Sequence, residues 1–222
     1  MNIGVFDSGI GGKYIAKQLQ TSFPKHNIIL VDDKKNVPYG LKTPIIIREL
    51  TDKAIQPLLK HRCQIIVLAC NTATAAAIDW LRERYTETLF VGLEPMIKTA
   101  NKITNTEVIA VCATPATLAS KKYNLQKRHY SNLTILEPNC SEWAYMIEHN
   151  KMNKKIIQNT IEDLIRENAD TIVLACTHYH WIESDISNIV NGRAKILQPS
   201  EAISRRVLAL QKQIDHRDPD SY

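Results

Sequence analysis

Short apolar runs rich in Ile and Val recur along the chain, separated by longer stretches with helical periodicity. They predict strands at 3–6, 28–31, 65–69, 89–91, 108–111, 133–136, 171–175 and 195–197. Each run is nearly continuous and does not alternate with polar residues, as suits a strand covered on both faces. Thr43 followed by Pro44 predicts a helix start, with Thr43 as N-cap and Ile46, Ile47, Leu50, Ala54 and Leu58 facing inward. A second helix is predicted over 153–168, with Ile157, Ile161, Leu164 and Ile165 on one face. Strand–helix alternation of this kind predicts an α/β fold of parallel sheets wrapped by helices. The polar tail from about Gln211 is expected to fray.

A repeat refines this picture. Ile66-Val67-Leu68-Ala69-Cys70 recurs letter for letter as Ile172-Val173-Leu174-Ala175-Cys176, an offset of 106 between positions 70 and 176. The same offset lays Ile3-Gly4-Val5-Phe6-Asp7-Ser8 on Ile109-Ala110-Val111-Cys112-Ala113-Thr114, again an apolar strand ending in a small hydroxyl residue. Two strands in register at one offset predict two similar lobes related by a pseudo-twofold. Each lobe would be a mostly parallel sheet flanked by helices. The expected division is 1–93 plus 198–222 as the N-terminal lobe, carrying Cys70, and 94–197 as the C-terminal lobe, carrying Cys176.

Composition narrows the class of protein. The 222 residues are 44% hydrophobic and 23% charged, which is ordinary for a globular chain. The net charge of +5 is scattered, and the small clusters Lys121-Lys122 with Lys127-Arg128 and Lys151 with Lys154-Lys155 read as solvated faces. Nucleic acid is therefore not an expected partner. No run approaches the roughly 18 apolar residues of a membrane span. Met1 leads into a short apolar run without a basic leader, so no signal peptide is expected. The five cysteines are odd in number and form no CxxC pair, which argues against a disulfide framework or a metal site and for the reducing cytoplasm.

Ligands of open parallel sheets bind beyond the carboxyl ends of the strands. Cys70 and Cys176 sit at two such ends, so facing lobes would present one thiol from each side of a cleft. Cys70 precedes Asn71-Thr72 and an alanine-rich helix start, and Cys176 precedes Thr177-His178-Tyr179. A thiol at a helix N-terminus gains support for its thiolate, and the free N–H groups there can hold a carboxylate. Cys63, Cys112 and Cys140 lack such context and read as packing. The first strand ends in Asp7-Ser8-Gly9-Ile10-Gly11-Gly12, which matches neither a Walker A loop nor GxGxxG, since Tyr14 stands where each requires another residue. Val37-Pro38-Tyr39-Gly40, after the second strand, is placed to touch a ligand. No lysine sits in a setting suited to a pyridoxal Schiff base, so no cofactor is expected.

With these residues in place, the chain resembles the glutamate racemases of the aspartate/glutamate racemase superfamily. The matching segments are FDSGIGG (6–12), DDKKNVPYG (32–40), VLACNTATA (67–75), VGLEPMIKTA (91–100), ATPATLASKKY (113–123), CSEWAYMIE (140–148), VLACTHYH (173–180) and PSEAISRRV (199–207). The resemblance implies a cofactor-independent isomerase that interconverts L- and D-glutamate and supplies D-glutamate for peptidoglycan. It makes Cys70 and Cys176 the catalytic thiols, with Cys70 deprotonating the D-isomer and Cys176 the L-isomer. Asp7, Ser8, Pro38, Tyr39, Gly40, Asn71, Thr72, Thr177 and His178 would grip the substrate, with Thr114 and Thr117 close by and Glu148 supporting. It also implies a homodimer. Departures from the usual pattern are Lys34, Lys35 and Asn36 in place of small residues and Arg, Lys13-Tyr14 after the glycines, and Ser141 and His180 where prolines are common. A racemase for aspartate or for several amino acids is the alternative; a single-thiol decarboxylase or a non-catalytic binding relative fits the paired cysteines less well.

Overall fold

The computed structural model describes residues 1–217. Among them, two four-stranded parallel sheets are built. The first contains β1 (Asn2–Asp7), β2 (Asn27–Asp32), β3 (Ile65–Leu68) and β4 (Leu89–Gly92), in the order β2-β1-β3-β4. The second contains β5 (Val108–Cys112), β6 (Thr134–Leu136), β7 (Thr171–Leu174) and β8 (Lys195–Leu197), in the order β6-β5-β7-β8. The registers repeat as well as the order. Ile3 pairs with Ile65 and Ile65 with Leu89; 106 positions on, Ile109 pairs with Thr171 and Thr171 with Lys195. The mostly parallel two-lobed α/β fold expected from the sequence is the one observed.

Helices α1 (Gly12–Ser22), α2 (Pro44–Lys60) and α3 (Asn71–Arg84) accompany the first sheet. Helices α4 (Ile97–Ile103), α5 (Pro115–Leu118), α6 (Lys121–His129), α7 (Trp143–Glu148), α8 (Lys154–Arg166) and α9 (Glu183–Val190) accompany the second. The last helix, α10 (Ser200–Arg217), returns to the first sheet, where Ile203, Val207 and Leu210 pack with Ile3 and Val5. Burying an aliphatic side chain such as Val207 contributes about 1.5–3 kcal/mol. The central strands show why their sequences are continuous apolar runs. In β3, Ile66 and Leu68 face one core while Ile65 and Val67 face another. In β7, Ile172 and Leu174 face a core different from that of Val173.

Two local expectations need correction. Thr43 does cap α2 through its side chain, but Ile46 points outward and is 45% exposed. The buried stripe is Ile47, Thr51, Ile55 and Leu58, one step around the helix. Thr51 can belong to it because its hydroxyl donates back to the Ile47 carbonyl at 2.7 Å. The polar segment after Gln211 is helical to Arg217, not frayed, with Ile214 packed on the first lobe's core. The rest of that expected tail lies outside the described residues. No helix among the described residues is long and apolar enough to cross a membrane.

Candidate active site

Cys70 and Cys176 each stand two residues beyond a central strand, β3 and β7, and both line one cleft of about 390 Å³, its open mouth included. The two thiols are held differently. Cys70 is the N-cap of α3; its Sγ accepts from the Ala73 N–H at 3.4 Å and from the Ser8 hydroxyl at 3.3 Å. Burial, with the nearby Asp7 carboxylate, pushes this thiol up to about 12 against the pull of those two bonds. In the free protein it is an acid. Cys176 is partly buried, precedes a 3₁₀ turn (Thr177–Ile182) and caps nothing with its side chain. Its Sγ lies 3.8 Å from His178 Nδ1.

His178 carries the positive charge of the site. Burial opposes its protonation, but the Cys176 contact and the Glu148 carboxylate, 2.6 Å from Nε2, outweigh it and raise the imidazole to about 10. Burial would likewise raise Glu148, yet His178 and the Ile10 N–H, donating at 3.0 Å, hold it below its ordinary value. Asp7 is fully buried, and burial raises its carboxyl despite the His178 charge and the Gly9 N–H at 2.8 Å. The Thr177 hydroxyl donates to Asp7 at 2.8 Å and so ties the two lobes. Gly11 allows this closeness, because a Cβ there would stand 2.6 Å from Thr177 Cβ.

A second tie lies on the Cys70 side. The hydroxyls of Thr72, Thr114 and Thr117 form a triangle with sides of 2.8, 3.0 and 3.3 Å. Gly40 packs against Thr114, and the Tyr39 hydroxyl donates to Asp33 at 2.7 Å. Burial and that acceptor hold Tyr39 in its neutral form.

Of the residues singled out from the sequence, Ser8, Pro38, Tyr39, Gly40, Thr72 and Thr114 line the cleft beside the two thiols and His178. Asp7, Thr177, Thr117 and Glu148 stand one layer behind, each hydrogen-bonded to a neighbour in or near the wall. Asn71 is placed apart. It is absent from the wall of the main cleft and borders a separate small cavity with Gln126, and its buried amide has no hydrogen-bond partner among the described residues. Leu41, Ser141 and Ala144 also line the cleft and were missed, as was Asp33 behind Tyr39. Leu41 directly follows Gly40, and Ser141 and Ala144 lie within the segment 140–148, so contiguity was the available signal. Cys63, Cys112 and Cys140 are buried, as read. No cluster of three or more His, Cys, Asp or Glu side chains suited to a metal ion occurs among the described residues.

The model of the Asp/Glu/Hydantoin racemase family matches residues 13–205. The chain belongs to this family. Within it, the chain is 38% identical over 211 residues to a glutamate racemase of Fusobacterium nucleatum, covering 93% of this chain and 79% of that one. The fold is similar to that of the Escherichia coli glutamate racemase in complex with L-glutamate and the activator UDP-MurNAc-ala, with a TM-score of 0.85, 25% identity, and coverage of 95% and 82%. It is also similar to the Francisella tularensis glutamate racemase in complex with D-glutamate, with a TM-score of 0.81, 29% identity, and coverage of 96% and 82%. In this chain Cys70 and Cys176 both line the cleft.

Proposed function

We propose that the chain interconverts L- and D-glutamate without a cofactor, passing the α-proton between the two faces of the substrate through Cys70 and Cys176. The observation that carries this reading is one thiol from each lobe at equivalent strand ends of a single small cleft. Inversion needs a base on one face of the α-carbon and an acid on the other. The surroundings of the thiols suit these roles. His178 holds its charge 3.8 Å from the Cys176 sulfur, where it attracts the negative charge that a base carries. Buried Cys70 keeps its proton and can deliver it to the opposite face.

In the L-to-D direction Cys176 takes the α-proton and Cys70 supplies one. In the reverse direction the roles exchange. The first-turn N–H groups of α3 and the threonine hydroxyls would hold the carboxylates. Acid–base catalysis contributes about 10²–10⁴-fold, and these fixed donors supply electrostatic stabilisation of the deprotonated α-carbon as well.

The lobes divide at residues 93/94 and 197/198; Leu197 packs on the second lobe's core, and Ile203, beyond it, packs on the first. The five free thiols suit the cytoplasm, where D-glutamate enters peptidoglycan. Leu41, Ile45 and Ile46 are exposed and give the expected homodimer an apolar face.

The test is α-hydrogen exchange in D₂O on both enantiomers of glutamate and aspartate, without added pyridoxal phosphate or metal. Glutamate is expected to exchange and invert, and Cys70→Ala and Cys176→Ala are each expected to abolish inversion. Full racemisation by either variant overturns the two-thiol mechanism.

A further inference from the structure

We propose that Tyr14 and His180 form a positioning pair that locks the two lobes together beneath the cleft and thereby sets the place of the Cys176 sulfur. This rests on the two-thiol reading above. The starting point is the unequal support of the thiols. Cys70 is fixed by groups of its own lobe, Ser8 and the Ala73 N–H. Cys176 caps no helix, so its place depends on what pins the turn that follows it.

Within its own lobe the turn is held by His178 against Glu148 and by the buried Tyr179, whose hydroxyl donates to the Cys140 carbonyl at 3.1 Å. Toward the first lobe, Thr177 donates to Asp7. A further contact with that lobe lies along the turn, where the Tyr14 ring stacks on the His180 imidazole with centroids 3.2 Å apart and planes 22° from parallel. Tyr14 belongs to α1 of the first lobe and His180 to the Thr177–Ile182 turn of the second. The imidazole is held from other directions too. Its Nδ1 lies 3.1 Å from Gln198 Oε1 and 3.3 Å from Glu183 Oε2. His180 therefore sits where α1, the turn after Cys176 and the crossover from β8 to α10 converge.

Neither ring lines the cleft, so neither touches a substrate there. Their effect is transmitted along the chain. The segment from Asp7 to Tyr14 carries Asp7 and Ser8, and the segment from Cys176 to His180 carries the thiol, Thr177 and His178. The Asp7–Thr177 bond closes the near end of the seam between these segments, and the ring stack closes the far end. With the stack removed, the seam can pivot about its near end, and the Cys176 sulfur moves relative to Cys70.

The test uses the full chain with Tyr14→Leu, His180→Leu, the double variant and Tyr14→Phe. A displacement of about 1 Å at a reacting group can cost up to about 100-fold, so each Leu variant is expected to lower kcat by about tenfold with KM little changed. The double variant should be no slower than either single one, and Tyr14→Phe, which keeps the stack, should restore turnover. The rate of iodoacetamide alkylation, read by peptide mass spectrometry, should change at Cys176 and stay constant at Cys70. Additive losses, or an unchanged Cys176 alkylation rate in variants that melt like the wild type, overturn the proposal. If His180→Leu does not fold, the two Tyr14 variants carry the comparison. A wild type that leaves glutamate unchanged defeats the two-thiol reading alone, because the alkylation measurement still decides the positioning claim.

Discussion

His178 Nε2 stands 2.6 Å from Glu148 Oε2, with the imidazole raised to about 10 and the carboxyl lowered, so the two form a buried ion pair behind the Cys176 sulfur. Glu148→Gln removes the anion. His178 then loses its proton at lower pH, and the alkaline fall of kcat/KM is expected to move downward. Loss of a positioned charge at an acid–base site should also cost about 10–100-fold in kcat at neutral pH. A pH–rate profile of the two proteins checks both; an unmoved alkaline limb contradicts the role given to the pair.

The same pair makes stability depend on pH. His178 has its folded value, about 10, above its ordinary 6.5. Its contribution is therefore fully present below 6.5 and is lost as pH rises through about 10. Glu148, lowered from 4.5, contributes above 4.5 and loses that contribution as pH falls. Thermal melts of the wild type should thus decline in Tm across the alkaline window, and Glu148→Gln should show a shallower decline. Asp7 is common to both proteins, so its effect largely cancels in the difference.

Ser8 tests the other thiol. Its hydroxyl donates to Cys70 Sγ at 3.3 Å and counters the burial that raises this thiol. A hydrogen bond to a charged partner contributes about 1.5–3 kcal/mol. Ser8→Ala is therefore expected to lower kcat by about tenfold or more while leaving Tm nearly unchanged. Steady-state kinetics beside a melting curve separate the two effects.

Gly40 tests the seam on the Cys70 side. A Cβ there would stand 2.6 Å from Thr114 Cβ and 2.9 Å from its Cγ2, in a side chain held within the hydroxyl triangle. Gly40→Ala should wedge the Tyr39 turn away from Thr114, at a cost of about 1–3 kcal/mol in unfolding free energy, and raise KM. Denaturant melts and substrate saturation curves are the measurements.

The fold was legible largely because β3 and β7 are buried on both faces, which leaves continuous apolar runs and an identical pentapeptide in the two lobes. Ile46 was misread because apolarity alone does not set the rotation of a helix; the hydroxyl of Thr51 satisfies itself on the backbone and takes a core position. The end of α10 was misread because its polar composition hides Ile214, whose packing is a tertiary contact. In the cleft, the thiols and the turn at Tyr39 could be located from strand ends. Asp33 also follows a strand end but stands behind Tyr39, out of the wall, and Ser141 and Ala144 lie away from any strand end, marked only by their place in the segment 140–148.

The lobes repeat their strand order and registers, yet one thiol caps an α-helix beside a hydroxyl and the other borders a charged imidazole. Mirror-image substrates would therefore meet unlike hands in a duplicated frame. Enantiomers have equal free energies, so the Haldane relation requires the same kcat/KM in both directions. The asymmetry can surface only as turnover and saturation that differ in compensation, the faster direction being the one that binds its substrate more loosely.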